Sequence, residues 1–232
     1  MIKGFIITLS IIAALFLVYC ALPNLYARNL SKNVYHKLKL GNHQIALTFD
    51  DGPNAAYTNR VLDILKKYDV KATFFIVIKN ANKNLSILHR MKEEGHEIGF
   101  HSYQHESAWE LLPKKTLTEI SRGEAALQAE NVTFRYMRPP WGTFNLFTLY
   151  QAKKHGLKVV LWNIEAFDWR KNQTAKGIEQ EVLSRVEDGS IIVLHDSGGA
   201  EGAPNRTIEA LDGLIPALLD QGYQFVTLEE GL

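Results

Sequence analysis

The amino-acid sequence predicts an α/β fold: a (β/α) barrel, distorted or incomplete, built on about seven strands and preceded by an N-terminal hydrophobic helix. Short apolar runs alternate with amphipathic stretches such as VLDILKKYD and GIEQEVLSRVED, which is the pattern of repeated β-α units. The runs are continuously hydrophobic, as is typical of parallel strands covered on both faces. An open doubly wound sheet is the alternative. The runs are IALTF, ATFFIVI, HEIGF, TFRYM, LKVVLWN, SIIVL and QFVTL.

The first element is the N-terminal helix. Residues 4–22 read GFIITLSIIAALFLVYCAL without a charge, about long enough to cross a bilayer. Segment 1–23 is therefore interpreted as a membrane anchor or an export signal. No A-x-A cleavage site follows it, which favours a retained anchor. The bulky Tyr19 before Cys20 argues against a lipoprotein site.

The charges that flank this segment do not favour export of the remaining chain. Only Lys3 precedes the segment, whereas Arg28, Lys32, Lys37 and Lys39 follow it, and the positive-inside rule would keep that side in the cytoplasm. An extracytoplasmic domain on a single-pass anchor, or a secreted one if the segment is cleaved, is expected from function and not from charge.

Residues 24–42 are polar and mixed and predict a stalk or a short lead-in element. Residues 43–232 predict one domain, because no linker or repeat divides them. The chain has 26 basic and 25 acidic residues and a net charge of +1, so no basic surface indicates a nucleic-acid partner. Its only cysteine is Cys20, so residues 43–232 form neither a disulfide nor a thiolate metal site. The oligomeric state is not indicated.

Polar side chains follow five of the predicted strands, where barrel enzymes carry their active-site residues. Taken singly, each has a structural explanation: Asp-Gly-Pro is a common turn, and isolated histidines or arginines are often polar surface or ion-pair partners. Unrelated structural causes would not place all of them at one end of a sheet, so the joint placement favours function. The residues are Asp50 and Asp51, His101 and His105, Arg138, Glu165 and Asp168, and His195 and Asp196.

Three of these side chains predict a metal site. His101 and His105, four residues apart, and Asp51 from another strand provide three ligands and leave positions open, as a catalytic zinc ion requires. Ser102 stands where an H-E-x-x-H metalloprotease has its catalytic glutamate. The general base is therefore expected from elsewhere, and Asp50 is the candidate.

The remaining groups predict acid-base chemistry. A bound divalent ion would activate water and polarise a carbonyl. His195 has the pKa range of a proton donor for a departing nitrogen. Arg138 is expected to hold Asp50 ionised and aligned, and Glu165 or Asp168 is expected to orient His195.

These motifs resemble the polysaccharide deacetylases of the NodB-homology type, carbohydrate esterase family 4. The resemblance covers residues 43–232 and comprises five motifs in order: Thr48-Phe49-Asp50-Asp51-Gly52-Pro53, His101-Ser102-Tyr103-Gln104-His105, Arg138-Pro139-Pro140-Trp141-Gly142, Asp168-Trp169 and Leu194-His195-Asp196. It implies the same base, ligands and acid. It also implies an oxyanion donor in the Trp141 backbone N–H, an acetyl pocket walled by Leu194 and Trp169, and a substrate contact at Pro139.

Two residues depart from the family pattern. Trp141 replaces the usual tyrosine, which keeps a backbone donor and enlarges the cleft wall. Glu165 replaces an earlier aspartate of the fourth motif, so the partner of His195 is left open between Glu165 and Asp168. Trp141, Trp162 and Trp169 are expected near the site, either stacking on sugars or packing the barrel.

The resemblance implies a metal-dependent hydrolase that removes N-acetyl groups from the amino sugars of a polysaccharide. Zinc is the expected ion, with cobalt or manganese as alternatives. Cell-wall peptidoglycan is the expected substrate for a membrane-tethered enzyme. Chitooligosaccharides, an exopolysaccharide, another acyl substrate or a non-catalytic carbohydrate-binding role are the alternatives.

Overall fold

The strands form one curled, parallel sheet. The computed structural model describes residues 2–39 and 43–232, and every strand pair in these residues is parallel. The strands are β1 (Val34–Tyr35), β2 (Gln44–Asp50), β3 (Thr73–Val77), β4 (Glu97–Ser102), β5 (Tyr136–Met137), β6 (Lys158–Val160), β7 (Ile164–Glu165), β8 (Ile191–His195) and β9 (Gln224–Phe225).

The sheet is an incomplete barrel. Its order is β1-β6-β5-β4-β3-β2-β8-β7, with β9 pairing to β2 outside this path. Within the described residues β1 and β7 end the sheet without pairing to each other. The predicted incomplete barrel is confirmed, and all seven apolar runs form strands. The strands β1 and β7 were not predicted, because β1 lies in the polar segment 24–42 and β7 directly follows the run LKVVLWN, so neither has an apolar run of its own.

Helices cover the outer face of the sheet. In α3, for example, Val61, Leu62 and Leu65 are buried against it, while charged residues face outward. The helices are α1 (Ile2–Phe16), α2 (Leu22–Asn29), α3 (Thr58–Lys67), α4 (Ile78–Ala81), α5 (Leu85–Glu93), α6 (Pro113–Leu127), α7 (Thr148–Lys154), α8 (Ala175–Leu183), α9 (Ala203–Asp220) and α10 (Leu228–Gly231).

The N-terminal region is one continuous helix. A π-helical turn at Leu17–Ala21 joins α1 to α2, and Ile2–Asn29 is, within the described residues, the one helix long and apolar enough to cross a membrane. The predicted hydrophobic helix is confirmed. α1 buries no residue against the domain.

The predicted stalk or lead-in segment packs on the domain over residues 24–39 and does not stand apart as a stalk. β1 pairs with β6 through Val34 and Val159, which supplies hydrogen-bond partners to an otherwise open sheet edge. The other residues of this segment, 40–42, lie outside the described residues.

Side chains on each strand alternate between the helix layer and the concave face of the sheet. In β2, Ile45, Leu47 and Phe49 join the cluster under the helices, whereas Thr48 and Asp50 contact Arg138 on the concave face. This alternation places the last residue of β2, Asp50, inside the curve of the sheet at its carboxyl end.

Candidate active site

A cleft of about 390 Å³ opens at the carboxyl ends of the strands. It contains side chains from all the predicted strand-end groups except Arg138, which is fully buried, and two of its lining residues, Trp141 and Trp169, are exposed to solvent. The lining residues are Arg28, Asp50, Asp51, His101, His105, Trp141, Trp162, Glu165, Trp169, Val193, His195 and Gly199.

Asp51, His101 and His105 meet at one point of this cleft. The Asp51 Oδ1 atom lies 3.2 Å from Nε2 of His101 and 2.9 Å from Nε2 of His105. One ligand atom from each side chain lies within 4.8 Å of the other two. The three residues come from the ends of two strands that are not neighbours in the sequence, as predicted.

The chemistry of this donor set fits a divalent ion. The Nδ1 atom of His101 lies 2.7 Å from the backbone oxygen of Arg138; because a carbonyl only accepts, Nδ1 carries the proton and Nε2 presents a lone pair to the cleft. The Asp51 Oδ1 atom is buried and makes no hydrogen bond of good geometry within the described residues, although two imidazoles touch it. A cation between the three would satisfy that oxygen.

Asp51 is held as an anion. Burial raises its pKa, but the His101 and His105 imidazoles against its carboxylate outweigh burial and keep the pKa well below its usual range. Its backbone adopts a φ of 76°, an unusual conformation for a residue with a side chain. A glycine is required at position 198, which faces the Asp51 carboxylate, because a Cβ there would lie 2.7 Å from Asp51 Oδ2.

Asp50 is paired with Arg138 behind the cleft. The Arg138 Nη1 atom donates to Asp50 Oδ1 at 2.7 Å and to the Thr48 hydroxyl at 2.8 Å. Its other donors reach the backbone oxygens of Val160 and Leu161, and its guanidinium lies 4.1 Å from the centre of the Phe75 ring. The arginine is fully buried, so the pair is fixed in position and strongly interacting.

His195 lies across the cleft and is paired with Asp168. Its Nδ1 atom is 2.8 Å from Asp168 Oδ1, and its backbone N–H donates to Asp168 Oδ2 at 2.7 Å. The Thr207 hydroxyl also donates to Asp168. Burial lowers the pKa of His195, but Asp168 more than reverses this, with help from Asp51 and Asp50, and raises the pKa to about 10.

Glu165 does not contact His195. Its carboxylate accepts a hydrogen bond from the Trp169 indole N–H at 3.0 Å. The choice that the sequence left open is therefore decided by geometry: Asp168 is the partner of His195, and Glu165 orients a tryptophan at the cleft rim.

Asp196, the last residue of the fifth motif, turns away from the cleft. Its carboxylate accepts a hydrogen bond from the Thr58 hydroxyl at 2.5 Å. It also packs so closely on Gly52 that a side chain at position 52 would clash with it. Burial raises the pKa of Asp196 to about 7. Asp196 therefore joins the loop after β2 to the loop after β8 and does not face substrate.

Two residues expected in the cleft lie elsewhere. Leu194 is fully buried in the cluster under the helices, because it alternates with Val193 and His195, both of which line the cleft. The prediction that Leu194 walls the pocket is wrong, because the neighbouring Val193 takes that position. Pro139 is also buried and lines a separate cavity of about 30 Å³ behind His101, so its predicted substrate contact is wrong as well.

Trp141 and Trp169 line the cleft as expected. Trp141 has a φ of 53°, and its ring lies 4.4 Å from that of His105. Trp162 lines the cleft wall and lies 5.6 Å from the Arg138 guanidinium, so it both packs the barrel and faces the cleft.

Arg28 is a cleft residue that the sequence did not predict. It comes from the last turn of α2, yet its Nη1 atom donates to the backbone oxygens of Gly142 at 2.9 Å and Trp141 at 3.4 Å. It lines the cleft beside Trp141. No local pattern indicated this, because the contact joins positions more than a hundred residues apart.

Comparison with known proteins identifies the same family that the sequence motifs resemble. The sequence profile of the family "Polysaccharide deacetylase" matches residues 37–160. The chain is 35% identical over 190 residues to the peptidoglycan-N-acetylglucosamine deacetylase PgdA of Listeria monocytogenes, a match that covers 82% of this chain and 39% of that protein. The chain thus spans well under half the length of that relative.

Two solved structures are similar throughout the domain. The Bc1960 peptidoglycan N-acetylglucosamine deacetylase is 32% identical with a TM-score of 0.81, covering 86% of this chain and 92% of that one. A family 4 acetyl xylan esterase from Clostridium thermocellum, solved with a cobalt ion, is 39% identical with a TM-score of 0.73, covering 81% and 89%. From its motifs, its fold and these matches, the chain belongs to the polysaccharide deacetylase family.

Proposed function

We propose that this protein is a metal-dependent deacetylase that removes N-acetyl groups from the amino sugars of peptidoglycan. One observation carries the proposal: the Asp51-His101-His105 cluster lies in a single cleft between the Asp50–Arg138 pair and the Asp168–His195 pair. A base and an acid thus stand near one candidate metal site, as amide hydrolysis requires. Peptidoglycan deacetylases among its relatives, such as the two described above, support this polymer as substrate.

Zinc is the proposed ion. Two imidazoles and one carboxylate are a common ligand set for catalytic zinc, with positions left for water and substrate. The same donors accept cobalt and manganese, and the cobalt ion in the acetyl xylan esterase supports that exchange. When bound, the ion supplies Lewis acidity for the attacking water and for the substrate carbonyl.

The chain's own groups perform the proton transfers. Asp50, held by Arg138, accepts the proton of the attacking water at its carboxylate. His195, protonated at neutral pH because of Asp168, donates its Nε2 proton to the departing amide nitrogen. The Trp141 backbone N–H stabilises the developing oxyanion. Val193 and Trp169 form the wall that receives the acetyl methyl, and Trp141 stacks on the sugar.

We further propose that the first part of the Ile2–Asn29 helix is a retained membrane anchor and that the domain lies outside the cytoplasm. The helix is apolar and exposed along α1. The basic residues that follow it oppose this orientation, so the outward placement rests on the proposed function and not on charge.

Acetate release from N-acetylated peptidoglycan and from chitooligosaccharides, with and without added zinc or cobalt, tests the activity. Asp50→Asn is expected to keep the metal and to abolish turnover, whereas His101→Ala is expected to lose both, as measured by bound metal per protein. Equal metal loss in the two variants would contradict the assigned roles. Metal binding without acetate release from any substrate would favour a non-catalytic carbohydrate-binding role.

A further inference from the structure

The N-terminal helix is bound to the catalytic domain from Tyr19 onward. The Tyr19 hydroxyl donates to the backbone oxygen of Leu111 at 2.7 Å, and the Tyr19 backbone oxygen accepts from the N–H of Leu146 at 2.8 Å. Cys20 is buried. Further along, the Asn24 side chain accepts from the backbone N–H of Phe144. The helix therefore leaves the domain at about residue 18.

The free apolar part of this helix, between Lys3 and the docked Tyr19, is shorter than a typical membrane-spanning helix. Residues 4–18 carry no charge and are exposed, and they give about 22 Å of helix at 1.5 Å per residue. The hydrocarbon core is about 30 Å thick and needs about 20 residues. The missing length, about five residues, takes the membrane boundary past Tyr19, where the domain is docked.

Exposed apolar side chains of the domain surround that boundary. The Trp109 ring lies 5.7 Å from that of Phe16 in an edge-on contact, Leu112 follows the Leu111 carbonyl that binds Tyr19, and Leu146 bonds the Tyr19 backbone. Their exposed fractions are 44% for Trp109, 74% for Leu112 and 49% for Leu146. A cluster of exposed large apolar side chains at this position needs a partner.

We propose that Trp109, Leu112 and Leu146, here called the bilayer-facing patch, insert into the interfacial region of the membrane around the anchor. The proposal depends on the anchor being a membrane helix, as proposed above. Tryptophan favours this interface, and leucines gain free energy on leaving water. The patch also supplies apolar surface where the helix is short, which lessens the cost of hydrophobic mismatch.

The patch fixes where the cleft lies. Arg28 lines the cleft and follows Ala21 by about 10 Å along the same helix axis. The cleft is therefore held within about one helix diameter of the lipid headgroups, and a glycan must approach the bilayer surface to be deacetylated.

Spin labels on introduced cysteines test the patch in the full-length protein, reconstituted in vesicles of phosphatidylethanolamine and phosphatidylglycerol. Leu112→Cys and Leu146→Cys probe the patch. Leu9→Cys probes the anchor, and Leu219→Cys on α9, which packs against α3 and α8, is the aqueous control. Labelled wild-type protein gives the background from buried Cys20, and Cys20→Ala removes it if it reacts. Collision of each label with oxygen and with a water-soluble nickel chelate is measured.

The ratio of the oxygen collision rate to the nickel collision rate is expected to be at least about threefold higher for labels at positions 112 and 146 than for the label at 219. The reason is that the apolar part of the membrane dissolves oxygen and excludes the chelate. A lipid-like value at position 9 with water-like values at 112 and 146 would overturn the patch and leave the anchor intact. A water-like value at position 9 would overturn both. Protection from both reagents with dipolar broadening would show that a second copy covers the patch, and would also overturn the proposal.

Discussion

At the scale of single residues, the protonation of His195 depends chiefly on the carboxylate of Asp168. The folded-state pKa of about 10 lies above the unfolded value of about 6.5. The pair therefore stabilises the fold fully below about pH 6.5, and this stabilisation is lost as the pH rises through about 10. Over the same range His195 carries the proton that amide cleavage uses.

We expect Asp168→Asn to move the alkaline limb of kcat/KM from near pH 10 toward about 6.5, because the main cause of the raised His195 pKa is removed. The measurement is acetate release between pH 5 and about 10.5. Glu165→Gln is the matched control, since Glu165 contacts Trp169 and not His195. If the alkaline limb of kcat/KM shifted in Glu165→Gln and stayed unchanged in Asp168→Asn, Glu165 and not Asp168 would be the partner of His195.

Arg28 is a second residue with a testable role. It holds the carbonyls of Trp141 and Gly142, and so positions the Trp141 N–H at the cleft. We expect Arg28→Ala to lower kcat about tenfold, about 1.4 kcal/mol of transition-state stabilisation, and Arg28→Lys to recover part of it. Lys32→Ala, which removes the same charge from an exposed position nearby, should leave kcat unchanged. Equal losses in the Arg28→Ala and Lys32→Ala variants would indicate a general charge effect.

At the scale of elements, β8 divides its side chains between stability and function. Ile192 and Leu194 face the helices, whereas Val193 and His195 face the cleft. The register is set by five consecutive pairs with β2, of which His195 with Asp50 is the last. A shift of one residue would exchange the two faces.

We expect Leu194→Ala to lower the free energy of unfolding by about 2–5 kcal/mol while the folded enzyme keeps its KM. Val193→Ala should cost less stability, about 1.6 kcal/mol from two methyl groups at about 0.8 kcal/mol each, and should raise KM or lower kcat by enlarging the acetyl pocket. Urea unfolding and steady-state kinetics on the two variants separate these effects. A raised KM for Leu194→Ala in stable protein would place Leu194 in the cleft after all.

At the scale of the whole molecule, the N-terminal helix has two parts with different roles. α1 buries nothing, whereas the following segment carries Tyr19, Asn24 and Arg28, which bond to the loops that build the cleft wall. The catalytic domain and the second part of this helix therefore form one packed unit.

Two deletions are expected to differ. Removing residues 2–15 should leave thermal stability unchanged, whereas removing residues 2–29 should lower Tm by at least about 5 °C and reduce activity. The lost hydrogen bonds contribute about 0.5–1.5 kcal/mol each, and each kcal/mol shifts Tm by about 2–4 °C in a domain of this size. Calorimetry of both fragments in one buffer is the measurement. Identical Tm values would mean that the helix is only a tether.

The sequence by itself determined the fold class, all seven of its apolar strands, the hydrophobic helix and the family, because continuous apolar runs and the motifs after them are local patterns. Only the tertiary structure decided that Asp168 and not Glu165 meets His195, that Val193 and not Leu194 faces the cleft, and that Arg28 joins it. These outcomes depend on strand register and on contacts between distant segments, which packing of the whole chain settles.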